Sequence, residues 1–143
     1  MTAVAFVDTN ILVYAYDRDA GFKRELAIRL LEDLWESGNG RLSVQVLQEF
    51  YVNVTRKLAT PVARSVAREV IESYGAWVRE ATSPAIVLRG AEISDLVQLA
   101  FWDALVVASA EQSGASLLYS EDLQADRIIA GIRIVNPLVD AGT

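Results

Sequence analysis

The chain has 143 residues, the length of one ordinary domain, and 52% of them are apolar, enough for a core without disulfide or metal staples. It contains no cysteine and no histidine, which excludes disulfides, thiolate or imidazole metal sites, cysteine nucleophiles and Ser-His-Asp triads. Nineteen acidic residues against thirteen basic ones give a net charge of −6, so a nucleic-acid substrate must be held by local arginines, a metal or a basic partner against a repulsive bulk field.

Residues 3–7 form a continuous apolar run that predicts a strand buried on both faces. Asp8-Thr9-Asn10 interrupts it with turn and cap residues, and a short helix is expected over 11–16. Leu26, Leu30, Leu31, Leu34 and Trp35 give helical spacing over 22–37, ended by Gly38-Asn39-Gly40. A very short strand is expected around Leu42. Ser43 then caps a helix running to about Leu58, whose apolar stripe is read as Val44, Leu47, Tyr51, Val54 and Leu58.

Thr60 and Pro61 suit the cap and first position of a further helix, with Val66, Val70, Tyr74 and Trp77 on one face. Ser83-Pro84 breaks it, and the apolar residues 85–88 are expected as a strand. Two helices follow over 90–99 and 102–112, the second largely apolar and therefore internal. Strands over 116–119 and 132–135 complete the pattern. Alternation of strands and helices predicts a three-layer α/β domain with a mostly parallel central sheet flanked by helices.

No linker, repeat or low-complexity segment divides the chain, so residues 1–143 are expected as a single domain. No run is long enough to span a bilayer and none resembles a targeting signal. The expected location is cytoplasmic, with no membrane partner.

Four carboxylates stand out by position. Asp8 ends the first strand and Asp122 follows the strand at 116–119, and in a parallel sheet the carboxyl ends of strands converge on one crevice. Glu49 points away from the stripe of its helix but shares its side with Val46, Phe50 and Asn53, which predicts partial burial. Asp103 interrupts an apolar stretch, where an acid is costly unless paired, capped or bound to a cation. Each also has an ordinary use: Asp8 as a helix cap, Glu49 as a solvated acid, Asp103 at a helix start, and Asp122 in a loop. Gathered together, however, acids repel unless a cation intervenes, and an all-oxygen set suits Mg²⁺ or Mn²⁺.

The motifs Val7-Asp8-Thr9-Asn10, Gln48-Glu49-Phe50, Trp102-Asp103-Ala104 and Ser120-Glu121-Asp122 resemble, in order and approximate spacing, the acidic motifs of PIN-domain proteins. They resemble in particular those of VapC-like ribonuclease toxins from type II toxin–antitoxin modules. The resemblance implies a PIN-like fold, an endoribonuclease dependent on Mg²⁺ or Mn²⁺, a homodimer and a cognate antitoxin. It also implies that Asp8, Glu49 and Asp103 form the main metal cluster, that Asp122 completes it, and that Asn10, Ser120 and Thr9 orient these acids.

One position departs from the family pattern. The last motif often carries a second acid where this chain has Gln124, which leaves Glu121 or Asp126 to replace it and a second metal open. Arg18, Lys23, Arg24 and Arg29, or Arg56, Lys57, Arg64 and Arg68, are the candidates for contacting RNA phosphates. Two alternatives are a non-catalytic RNA- or partner-binding module of the same fold and an aspartyl-nucleophile phosphatase built on Asp8. The second lacks a further acid beside Asp8-Thr9-Asn10 and any lysine in the C-terminal half.

Overall fold

The computed structural model describes residues 3–139. Its strands are β1 (Ala5–Val7), β2 (Gly40–Arg41), β3 (Leu117–Tyr119), β4 (Ile128–Ile129) and β5 (Ile132–Val135). Among the described residues six α-helices flank them: α1 (Thr9–Ala15), α2 (Phe22–Ser37), α3 (Val44–Val52), α4 (Arg64–Tyr74), α5 (Pro84–Val97) and α6 (Phe101–Gln112). The sheet order is β2-β1-β3-β5-β4, parallel throughout except for β4 against β5. The predicted α/β class and mostly parallel sheet are therefore present.

Local chemistry explains most boundaries. All three residues of β1 are buried, as a central parallel strand requires. Gly38 ends α2 in the left-handed conformation (φ 74°), donating its N–H to the Leu34 carbonyl at 3.0 Å. Ser43 starts α3 by accepting from the Val46 N–H. The helix then widens into a π turn over Asn53–Lys57, closed by Leu58 N–H to the Asn53 carbonyl at 3.2 Å.

Three expectations are corrected. Residues 85–88 are helix, not strand: Pro84 opens α5, and Ile86, Gly90 and Ile93 fall on one buried face. A four-residue apolar run does not distinguish strand from helix by itself, and the helical period here continues through Gly90. Gly90 also lets α5 lie close to α6, since an added Cβ would sit 3.3 Å from the Leu105 Cα. The strand expected over 85–88 and the helix expected over 90–99 are thus one helix, α5.

The helix after Thr60 starts late, at Arg64. The Thr60 hydroxyl donates to Asp19 at 2.9 Å instead of capping, and Val62 N–H is drawn to the Val54 carbonyl of the π turn at 2.8 Å. Ala67, not Val66, faces inward, followed by Val70 and Tyr74, while Trp77 is buried in the 3₁₀ turn Gly75–Trp77.

The stripe of α3 is rotated from the expected one. Val46, Phe50 and Val54 are fully buried, Leu47 and Tyr51 are half-buried, and Val44 is exposed. Among the described residues no single helix is long and apolar enough to cross a membrane. The α5–α6 pair passes on composition alone, but it bends by 116° and α6 buries Ala104, Val106, Val107, Ala108 and Ala110 in the core.

Candidate active site

The site grows from the carboxyl edge of the sheet. β2 and β3 lie on opposite sides of β1, so the crevice at a topological switch point opens beside β1 and β3. Their register pairs Val7 with Tyr119, and Asp8 N–H extends the ladder to the Tyr119 carbonyl at 2.9 Å. Asp8 and Ser120 consequently emerge side by side. The cleft they enter has a volume of about 360 Å³ and is also lined by Glu49, Asp103 and Asp122.

A hydrogen-bond network fixes the acids. One Asp8 oxygen accepts from the Thr9 backbone N–H at 2.8 Å, which makes Asp8 the N-cap of α1. The other accepts from the Ser120 hydroxyl at 2.8 Å. The Thr9 hydroxyl donates to Glu49 Oε1 at 2.8 Å, tying α1 to α3. Asn10 Nδ2 donates to Asp122 Oδ2 at 2.9 Å and lies 3.4 Å from Asp8 Oδ2, while its carbonyl oxygen accepts from the Glu121 N–H at 3.2 Å. Ser120 Oγ in turn accepts from the N–H groups of Asp122 and Leu123, shaping the loop that carries Asp122.

Electrostatically the cleft is under tension. Burial, the largest influence, pushes the Asp8 carboxyl from its ordinary 3.8 up to about 6; hydrogen bonds from Ser120 and Thr9 oppose the rise, and the charges of Asp122 and Glu49 add to it. Burial and then the charge of Asp122 raise Asp103. Among the described residues none of the four acids is ion-paired to Lys or Arg. No hydrogen bond among those residues reaches Glu49 Oε2, Asp122 Oδ1 or either oxygen of Asp103, so these lone pairs face the cleft or solvent.

The structure places each expected residue as follows. Asp8, Thr9 and Ser120 are buried, Asn10 and Asp103 are half-buried, and Glu49 and Asp122 are exposed. Partial burial of Glu49 was expected and does not occur; the inward side of α3 passes beside it through Val46 and Phe50. Asp103 stands in the first turn of α6, where the helix dipole favours a negative charge.

Neither substitute for the second acid of the last motif enters the cleft lining. Glu121 accepts from the Tyr14 hydroxyl at 2.6 Å and pairs with Lys23 at 2.6 Å, while Asp126 pairs with Arg133 at 2.9 Å. Burial raises the Glu121 carboxyl, but Lys23 and Tyr14 outweigh it and hold the group below its usual range.

Sequence reasoning missed Tyr14, Asp17, Gln45, Asn53 and Trp102, all of which line the cleft. Gln45, Glu49 and Asn53 recur every fourth residue, a polar file on one side of α3 that the sequence already contains. None of the eight basic residues considered for phosphate contact lines the cleft.

The donor set is all oxygen in a chain without histidine or cysteine, which fits a hard cation such as Mg²⁺ or Mn²⁺. Among the described residues no three acids stand close enough together to hold a metal ion as they are placed. Four carboxylates lining one cleft repel one another, and a cation between them would offset that repulsion.

Three comparisons bear on this arrangement. Among curated protein sequences none matches the chain. In fold it is similar to a chain of a toxin–antitoxin complex from Klebsiella pneumoniae, with 19% identity, TM-score 0.67, and coverage of 93% of this chain and 97% of the other. It is also similar to VapC20 of Mycobacterium tuberculosis, a toxin that cleaves the sarcin-ricin loop, with 21% identity, TM-score 0.60, and coverage of 82% and 89%. The PIN domain profile matches residues 5–130, spanning β1 through β4 and all four acids, and the chain belongs to the PIN-domain family.

Proposed function

We propose that this protein is a Mg²⁺- or Mn²⁺-dependent endoribonuclease, the toxin of a toxin–antitoxin pair. The observation that carries the proposal is one cleft holding Asp8, Glu49, Asp103 and Asp122 with no basic residue in its lining. Membership of the PIN family and the fold likeness to a toxin–antitoxin component and to VapC20 support it.

Asp8, Glu49, Asp103 and Asp122 would hold the ion, through the lone pairs their hydrogen bonds leave open. Bound there, the ion supplies a Lewis acid that makes water nucleophilic and offsets charge on a phosphodiester. The chain's own groups do the orienting. Thr9 Oγ1 fixes one Glu49 oxygen and leaves the other for the cleft. Ser120 and the Thr9 N–H aim Asp8, and Asn10 sets Asp122. Asp8, buried and repelled by its neighbours, gains most from a cation.

Two partners follow from the same reading. A cleft lined by acids complements a basic segment of an antitoxin. Val87, Leu88 and Leu96 lie exposed on α5 and would be covered in a homodimer. The reading puts the protein in the cytoplasm, with its RNA.

The test is RNA cleavage by pure protein with Mg²⁺ or Mn²⁺, with EDTA, and with Asp8→Ala or Asp103→Asn. We expect cleavage that needs the metal and is lost in both variants. Equal cleavage by the variants would sink the proposed site, and RNA binding without cleavage would favour a non-catalytic module.

A further inference from the structure

Glu49 and Asn53 line two hollows at once. One is the acidic cleft; the other is a depression of about 280 Å³ completed by Gln48, Val52 and Lys57. The two hollows therefore meet along α3 and the turn that follows it. Among the described residues Lys57 is the one basic residue in either lining.

Helix geometry explains how Lys57 comes to share a wall with Glu49. Gln45, Glu49, Asn53 and Lys57 recur every fourth residue. In an α-helix four residues overshoot a full turn by about 40°, so such a file drifts around the axis. After α3 the chain enters the π turn Asn53–Lys57, whose wider loops hold more residues per turn. Four residues there fall short of a turn, which opposes the drift and keeps Lys57 on the side of Glu49. At helical rise the Lys57 backbone stands roughly 12 Å along the axis from that of Glu49, and the long side chain spans part of the gap. Asn53 Nδ2 donates to the Glu49 carbonyl at 2.8 Å, which holds the middle of the file in place.

Lys57 is exposed and, among the described residues, enters no ion pair. Lys23, by contrast, is committed to Glu121, and Arg24 Nε donates to the Ala15 carbonyl. In a chain of net charge −6 most of the surface field repels a polyanion, so an open ammonium at the end of a path from the cleft is where a phosphate gains most.

Resting on the nuclease reading above, we infer that the RNA strand leaves the cleft along α3 and that Lys57 binds a backbone phosphate next to the one held at the acids. The contact adds affinity without reading a base, and it weakens as salt rises. Lys57 lies away from the reacting bond and acts on binding, not on the chemical step.

The experiment follows cleavage of a pool of short oligoribonucleotides in Mg²⁺, at several salt concentrations, by wild type, Lys57→Gln, Lys57→Arg and Arg56→Gln. Arg56→Gln removes the same charge one residue away, from a side chain outside both linings, and controls for bulk charge. Lys57→Gln should raise KM about fivefold at low salt with kcat within about twofold, and reduce the slope of log kcat/KM against log salt by roughly 1. Lys57→Arg should restore both, and Arg56→Gln should change neither to a comparable extent. All four proteins should cut the same bonds, since a phosphate contact carries no base information.

A second arm measures binding of the labelled pool in Mg²⁺ to Asp103→Asn with and without Lys57→Gln, where the same loss of affinity is expected. An unchanged KM and slope in Lys57→Gln, an equal effect of Arg56→Gln, or a shift in which bonds are cut overturns the inference. In each of those cases metal-dependent cleavage by wild type leaves the nuclease reading standing. Binding that weakens with Lys57→Gln while wild type cleaves nothing upholds the contact and removes the nuclease.

Discussion

Asp8 shows how one residue serves two ends. As a helix cap it satisfies an N–H at the start of α1, and as a cleft acid it is buried beside Asp122 and Glu49. The ordinary and the functional readings of this residue therefore coexist, which is why the sequence alone left them balanced. Its carboxyl is raised from 3.8 to about 6, so ionising it is harder in the fold than in the unfolded chain. The stability given by the neutral form is fully present below about pH 4 and lost as pH rises through about 6. Asp103 shifts in the same direction, whereas Glu111, held low by Arg89, and Glu121 act oppositely.

Comparison with Asp8→Asn isolates the first term. Metal-free Asp8→Asn should be more stable than wild type near neutral pH, by up to about 3 kcal/mol for a rise of two units, less whatever the altered Ser120 hydrogen bond costs. Urea denaturation at pH 4 and pH 7 checks it; an advantage of equal size at both pH values would contradict the assignment. Similarly, Glu121→Gln keeps a partner for Tyr14 but loses the ion pair to Lys23. Because that pair is partly exposed, folding stability should change little. The loop carrying Asp122 should loosen, raising the Mn²⁺ concentration needed for cleavage; an unchanged metal requirement would show that the clamp does not position Asp122.

At the scale of elements, the strands that carry Asp8 and Ser120 were legible because short apolar runs followed by turn residues leave few alternatives. The helices were less so. Residues 85–88 have the composition of a strand, and only the continuation through Gly90 and Ile93 reveals α5. For α3, Leu47 and Tyr51 suggested a stripe, yet Val46 and Phe50 point inward and set Glu49 at the cleft. β4 has two residues and pairs antiparallel, too short for a periodic signal.

Packing of β2 supplies a separate test. A Cβ on Gly40 would lie 2.6 Å from two ring atoms of Trp77, itself stacked among Trp35 and Tyr74. Gly40→Ala should therefore lose about 1–3 kcal/mol in chemical denaturation, through overpacking against an indole with little room to retreat. A neutral effect would mean that the aromatic cluster shifts freely.

For the whole molecule, composition narrowed the chemistry: without histidine or cysteine, the groups left were carboxylates, hydroxyls, Lys, Arg, Tyr and a hard cation held by oxygen. Asp8 and Asp122 could be picked from strand ends and Asp103 from an interrupted apolar stretch, while Glu49 rested on the mixed side of its helix and on the family motif. Tyr14, Gln45, Asn53 and Trp102 could not, because their roles depend on which walls the fold brings together. The exposed apolar residues of α5 belong to this scale as well. Sedimentation should show a dimer that Leu88→Glu with Leu96→Glu dissociates; a wild-type monomer would remove the homodimer from the proposal.

The claim that the four acids together hold a catalytic ion is tested most directly by the Mn²⁺ concentration giving half-maximal RNA cleavage. Wild type should be inactive in EDTA and saturate with Mn²⁺. Asp122→Asn, which removes one charge at the exposed side of the cleft, should need about tenfold more metal, in the range seen when ligand-supporting groups are lost. Cleavage in EDTA, or the same half-maximal Mn²⁺ for both proteins, would contradict the account.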